Sequence, residues 1–255
     1  MKRYCIPCRG ALLWLASGAL SIGQAQVVTN ITPTSGVGDL GTTVTQAAAP
    51  SFEITGGTRP NNGPNLFHSF GEFSVGTGDT ANFVNDSGLA TENLLSRVTG
   101  NNPSNIFGTI QTTDFSAADL YLLNPSGVLF GPGASLNVEG GFHLSTADFI
   151  ELADGVRFDA LPSPNDALLS TAPPAAFGFL GPNPAPIRVE GSLLEVPEGE
   201  ILSLVGGDIT MADGSLYAEL LPDFFPICLI GFRTTPFSSV ICSHVYYALL
   251  LVNTA

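Results

Sequence analysis

Between Gln26 and Leu220 this 255-residue chain has no lysine, no cysteine and only four arginines: Arg59, Arg97, Arg157 and Arg188. The same stretch carries 21 acidic residues, a net charge of −17. Binding to nucleic acid or to an anionic membrane needs clustered Lys or Arg, so both are excluded as partners. Without a cysteine there, no disulfide can staple the domain, and its own packing must hold it. Cys5 and Cys8 form a C-x-x-C, but they lie in a leader-like segment where a redox site has no place. Charge of either sign is scarce, 12% of residues against about 25% in an average domain, so Thr, Ser, Asn and Gly must cover the surface. Helical periodicity is almost absent too. Only "TENLLSRV" (91–98) offers a plausible helical turn.

What the chain has instead is turns and short apolar runs. It contains 29 glycines and 19 prolines. In "LYLLNPSGVLFGPGASLNV" (120–138), "LYLL" stops at "NPSG", "VLF" stops at "GPGA", and "LNV" follows. Comparable runs recur as "NIFGTIQT" (105–112), "FHLSTA" (142–147), "IRVEG" (187–191), "EILSLVGG" (200–207) and "SLYAEL" (215–220), which predicts an all-β chain. Their spacing is shorter than a sandwich needs, and three strands make a unit of about 22 residues. "SLNVEGGFHL" and "IRVEGSLLEV" also look alike. A right-handed parallel β-helix of stacked three-strand coils fits this pattern. Alternation then points Leu120, Leu122, Val128, Phe130, Leu136, Val138, Phe142 and Leu144 inward, and Tyr121, Leu129, Asn137 and His143 outward.

Composition divides the chain into three parts. Residues 1–25 combine Lys2, Arg3 and Arg9, the apolar "ALLWLASGALSIG" and a small Ala25, the order of a secretory signal peptide. Residues 26–220 carry the strand pattern. Within them, 158–186 holds seven prolines, and because proline cannot donate to a ladder this stretch is expected to leave the helix as an extra-helical loop. Residues 221–255 are strongly apolar and poor in glycine. A cap and a chain that has left its ancestral reading frame both fit them, and they are expected to lie outside the helix.

The ordered series "ITPTSGVGDLGTTVTQ", "FEITGGTRPNNGPNLFHSFGEFSV", "NIFGTIQT", "LYLLNPSGVLFGPGASLNVEGGFHLSTADFI" and "ILSLVGGDITMADGSL" resembles the filamentous-haemagglutinin N-terminal domain, the secretion domain of two-partner exoproteins, its cyanobacterial branch especially. The resemblance spans about residues 28–220. It implies a right-handed β-helix with an N-terminal cap and an extra-helical hairpin. It further implies an adhesin-like, secreted or surface-borne chain, read for export by periplasmic modules of an outer-membrane pore protein. Two Asn-Pro motifs serve this recognition in the family. The second maps onto Asn124, Pro125, Ser126 and Gly127, with Ser where Asn is common. The first maps onto Pro64, Asn65 and Leu66, with Gly63 in place of the leading Asn.

Other motifs have plainer readings. "GVGDLG" (36–41) has dinucleotide-loop spacing, but the β-branched "TTVTQ" follows it where a helix should open, so it is read as a turn and no cofactor is expected. His143, Ser145 and Asp148 could be fragments of a triad, but no oxyanion hole accompanies them and a solvated face is the simpler reading. His68, flanked by aromatics in "LFHSF", is read as structural. The alternative function is a β-helix polysaccharide lyase or hydrolase, for which Glu195, Glu198 and Glu200, or Asp148, Glu151 and Asp154, would supply carboxylates. Four arginines and no lysine are a poor provision for an acidic sugar. The chain is therefore read as a non-enzyme without a metal site.

Overall fold

The computed structural model describes residues 27–48, 50–218 and 227–231. The segment read as a signal peptide, residue 49, residues 219–226 and the remainder of the apolar tail lie outside the described residues. Among the described residues there is no α-helix, and the strands form a β-solenoid of about 7 turns, a parallel β-helix. Each complete coil visits three faces. The first face is a seven-stranded sheet ordered 30–33, 65–74, 93–98, 119–123, 142–145, 202–206, 227–231. The second stacks 104–106, 128–130, 187–190 and 209–212, and the third runs from 42–48 through 51–56, 80–83, 109–111 to 135–137. A pair of strands, Leu193–Val196 and Ser215–Ala218, continues the third side in the later coils.

The interior follows the alternation read from sequence. Phe142 sits in parallel register with Leu120, and Leu144 with Leu122, a repeat of 22 residues between equivalent positions. Leu120, Leu122, Val128, Phe130, Val138, Phe142 and Leu144 are all buried in one continuous core, with half-buried Leu136 packed against it. Phe130 meets Phe142 edge to face at 6.1 Å. Stacking identical apolar types coil upon coil lets each side chain contact its equivalents above and below, so the core extends along the axis. The likeness of "SLNVEGG" and "IRVEGS" does not mark equivalent positions, however. Ser135–Asn137 lies on the third face, whereas Ile187–Glu190 lies on the second.

Both ends depart from parallel stacking or from expectation. At the N-terminal end Asn30–Pro33 pairs antiparallel with Asn65–Ser74, and Thr42–Ala48 antiparallel with Ser51–Gly56. These antiparallel strands cap the first coil and cover its open edge. At the other end the expectation that 221–255 lies outside the helix needs correction at Ile227–Gly231, the part of it that is described. Ile227–Gly231 joins the seven-stranded sheet, parallel and in register with Leu202–Gly206, and Ile227 and Leu229 are buried in the main core. Alternating "ICLIG" inserts two apolar side chains on the inner face, which suffices for a strand. Cys228, on the same strand, is a free, half-buried thiol whose pKa burial pushes up.

The proline-rich departure is larger and more ordered than a loop. It begins at Phe149, not at 158. Phe149–Leu152 pairs antiparallel with both Arg157–Asp159 and Pro174–Gly178, making a separate three-stranded sheet, and a short 3-10 turn at Pro164–Leu168 follows Ser163. This excursion lies on the outer surface of the seven-stranded sheet and closes a second apolar core. Phe67, Leu95 and Leu123 from the helix meet Ile150, Leu152, Phe158 and Ala160 from the excursion. Phe67 and Phe158 pack edge to face at 5.1 Å. Because both faces of the helix strand beneath are covered, Asn93–Val98 is buried at every position. That corrects the helical turn read at 91–98. A strand apolar on both sides loses the period of two that would reveal it.

His68 projects into the helix interior at the capped end, between the rings of Phe70 and Phe83, with Nδ1 3.3 Å from Thr42 Oγ1. Burial, together with the nearby Arg59 charge, lowers its pKa from 6.5 to about 3. The unfolded chain thus binds a proton below pH 6.5 that the folded chain refuses until about pH 3. This contribution to stability is complete above pH 6.5 and is lost as pH falls toward 3. Unfolding titrations in denaturant at about pH 7.5 and about pH 4.5 should differ by about 2–3 kcal/mol from this group. His68→Phe should flatten the profile by that amount. An unchanged profile would mean that the imidazole is not held neutral.

Candidate partner-recognition site

The two Asn-containing motifs occupy opposite strand ends of the seven-stranded sheet. Asn65 opens the strand Asn65–Ser74, and Asn124 directly follows the strand Asp119–Leu123. They are not brought together, but the excursion crosses the sheet between them and touches both.

At the first end, Arg59 organises the turn. Its Nη1 donates to Gly63 O and Ala90 O at 2.8 and 3.2 Å, and its Nη2 donates to Thr91 Oγ1 at 2.7 Å. Half-buried Pro64 accepts from Glu92 N and Asn93 N through its carbonyl. Asn65 and Leu66 are buried. The Asn65 carboxamide donates to Ser170 O at 3.0 Å and to Ala172 O at 2.7 Å, and accepts from Asn93 Nδ2 at 2.9 Å. It is a pin between the excursion and the helix.

At the end of the strand Asp119–Leu123, Asn124 is fully buried. Its Nδ2 donates to Ser104 Oγ at 2.9 Å and to Asn102 O at 3.2 Å, both on the preceding coil. Its Oδ1 accepts from Ser126 N at 2.9 Å, an Asx turn that fixes the corner. Gly127 follows at φ 104, where a side chain would be strained. Pro125 and Ser126 are half-buried and form the accessible part of the motif. The returning end of the excursion borders it, since Val128 N donates to Pro186 O at 3.2 Å.

One residue that sequence reasoning passed over ties the excursion down. Arg97, fully buried on a helix strand, forms a two-pronged pair with Asp166: Nη1 to Oδ1 at 2.7 Å and Nη2 to Oδ2 at 2.8 Å. It also donates to Ser69 Oγ, Asp159 O and Gly38 O, and lies 5.1 Å from the Phe158 ring centre. Gly38 belongs to the "GVGDLG" loop, which leads into the strand Thr42–Ala48. That loop is a packed turn against the excursion. A lone arginine in the apolar run "LLSRV" was the only available signal.

His143, Ser145 and Asp148 do not assemble a triad. Ser145 Oγ donates to Val205 O, and Asp148 Oδ2 accepts from Leu180 N. Nor is His143 a solvated residue: it is 9% exposed and stacked at 4.4 Å on Tyr121, with Nδ1 2.8 Å from Ser203 Oγ. Its Nε2 lies 3.7 Å from Asp119 Oδ2. Burial and the Asp119 charge raise the Tyr121 pKa. Burial, then Asp119, raises that of Glu200, against the opposing pull of His143. Tyr121, His143, Ser203 and Cys228 occupy one outward row on four successive strands, in register. Of the remaining carboxylates, Glu151 pairs with Arg157 at 3.6 Å. Hydrogen bonds to Ser170 and to Val156 N hold Asp154 below its ordinary pKa, and Glu195 is exposed on its strand.

A family model described as the TPS secretion domain matches residues 29–221. No curated protein matches the chain. The matched span takes in the N-terminal cap, both Asn-containing motifs, the excursion and all but the last described strand. The chain therefore belongs to the TPS family, the two-partner secretion domains of exoproteins exported across the outer membrane by a partner transporter.

Proposed function

We propose that this chain is the secretion domain of an adhesin-like exoprotein, captured by periplasmic modules of an outer-membrane pore through the corner formed by Asn124, Pro125, Ser126 and Gly127. Pro64, Asn65 and Leu66 provide the second, opposite element. The observation that carries the reading is the family match over residues 29–221, which takes in both Asn-containing motifs. The absence of disulfides from 26–220 agrees with passage through a pore, since no covalent loop would obstruct an unfolded chain. In this reading the buried carboxamides of Asn65 and Asn124 set the shape of their corners, and the partner touches the backbone, Pro125 and Ser126.

Asn124→Ala tests this. Loss of the buried hydrogen bonds should cost about 1–3 kcal/mol, so secretion must be compared with that of variants of similar stability loss and no change at either motif. Ile110→Val at about 0.5–1.5 kcal/mol and Ile110→Ala at about 2–5 kcal/mol, in the main core, bracket that loss. Secretion into the medium should fall strongly for Asn124→Ala and remain near wild type for both Ile110 variants. Equal secretion of all three would remove the recognition role from this corner.

A further inference from the structure

Among the described residues four arginines are present, and three are committed. Arg97 is locked to Asp166, Arg157 pairs with Glu151 and covers the Phe149 ring, and Arg59 is spent on Gly63, Ala90 and Thr91. Arg188 is different. It is exposed on the strand Ile187–Glu190, facing outward, and forms no hydrogen bond or ion pair. It is the single uncommitted cation of the described surface, on a segment of net charge −17.

Arg188 borders a groove of about 220 Å³, with Pro182, Asn183, Pro184 and Pro186 along one side and Asp208 and Thr210 along the other. Thr210 stands directly beside Arg188 in the parallel register. Asp208 Oδ1 is buried and has no hydrogen-bond partner. With no exposed surface, that oxygen is not reachable from the groove, so Arg188 supplies the groove's recognition charge. The groove also adjoins the Asn124–Gly127 corner, because Pro186 O accepts from Val128 N and lies against Gly127.

We propose that this groove receives one acidic side chain, Asp or Glu, from a periplasmic module of the pore partner. The proposal rests on the secretion reading above. The carboxylate takes the planar donor fork of Arg188. A volume of about 220 Å³ suits a side chain and its flanking backbone. On so acidic a surface a free arginine also selects for orientation, since every other approach of an acidic segment is repelled.

The test uses the full chain in its own host, with a photo-crosslinking amino acid at Thr210. The expected result is a cross-link to an outer-membrane pore protein with periplasmic modules, mapped by mass spectrometry to a peptide containing Asp or Glu. Arg188→Glu should abolish the cross-link and lower secretion about tenfold or more, while Arg188→Lys retains part of both. The melting temperature should be unchanged, since the side chain is exposed. Reversing the cross-linked acidic residue to Lys should restore secretion of Arg188→Glu. Wild-type secretion of Arg188→Glu, alongside impaired secretion of Asn124→Ala, overturns the groove and leaves the secretion reading standing. Export of both variants at wild-type level by cells lacking any such pore overturns the secretion reading itself. A cross-link to an acidic saccharide instead of a protein also overturns the proposal.

Discussion

Asp166→Ala should destabilise the protein by about 3–5 kcal/mol, although the substitution lies in a proline-rich excursion outside the helix. Its partner Arg97 has no exposed surface, and the Asp166 side chain retains only 15%. Removing the carboxylate strands a guanidinium in the second core, with only the neutral acceptors Ser69 Oγ, Asp159 O and Gly38 O around it. The loss should show in denaturant unfolding and in rapid proteolysis between residues 160 and 172, where the excursion would lift. Replacing both partners, Arg97→Met with Asp166→Leu, should recover most of the loss, because a buried pair is far more costly to break than to exchange for apolar groups. A change below about 1 kcal/mol in the single variant would mean that water reaches the pair and that the excursion is not held by it.

Phe130→Ala and Phe158→Ala should each cost about 3–5 kcal/mol, and their consequences should differ in extent. Both rings are fully buried, but in different cores. Phe130 stacks along the axis of the helix against Phe142, so its removal weakens coil-on-coil contact and should lower the stability of the whole solenoid. Phe158 lies between Phe67 and Arg97, under the excursion. Its removal should raise amide exchange at 149–178 and at Asn93–Val98, while leaving the strands of the second and third faces protected. Uniform loss of protection in both variants would show that the two cores unfold as one.

The all-β class, the three-strand unit and the inward row from Leu120 to Leu144 were legible in the sequence, because each needs only local information. A turn residue every seven or eight positions limits strand length, and alternation of period two states which side chains share a face. The motif order likewise carried the family. What local pattern could not report is what lies on the far side of a strand. His143 read as an outward position, and it is outward from the helix, yet it is buried, as are Asn65 and Asn124 of the two motifs. Asn65 is covered by Ser170 and Ala172, more than a hundred residues along the chain, and Arg97 by Asp166. The proline-rich stretch announced its exit from the helix, since proline cannot sustain a ladder. It could not announce that Phe149–Leu152 would leave with it, or that the excursion would fold back over the seven-stranded sheet. That return depends on whether Phe158, Ile150 and Leu152 find Phe67, Leu95 and Leu123, and contacts so distant in sequence are chosen only when the coils beneath them have formed.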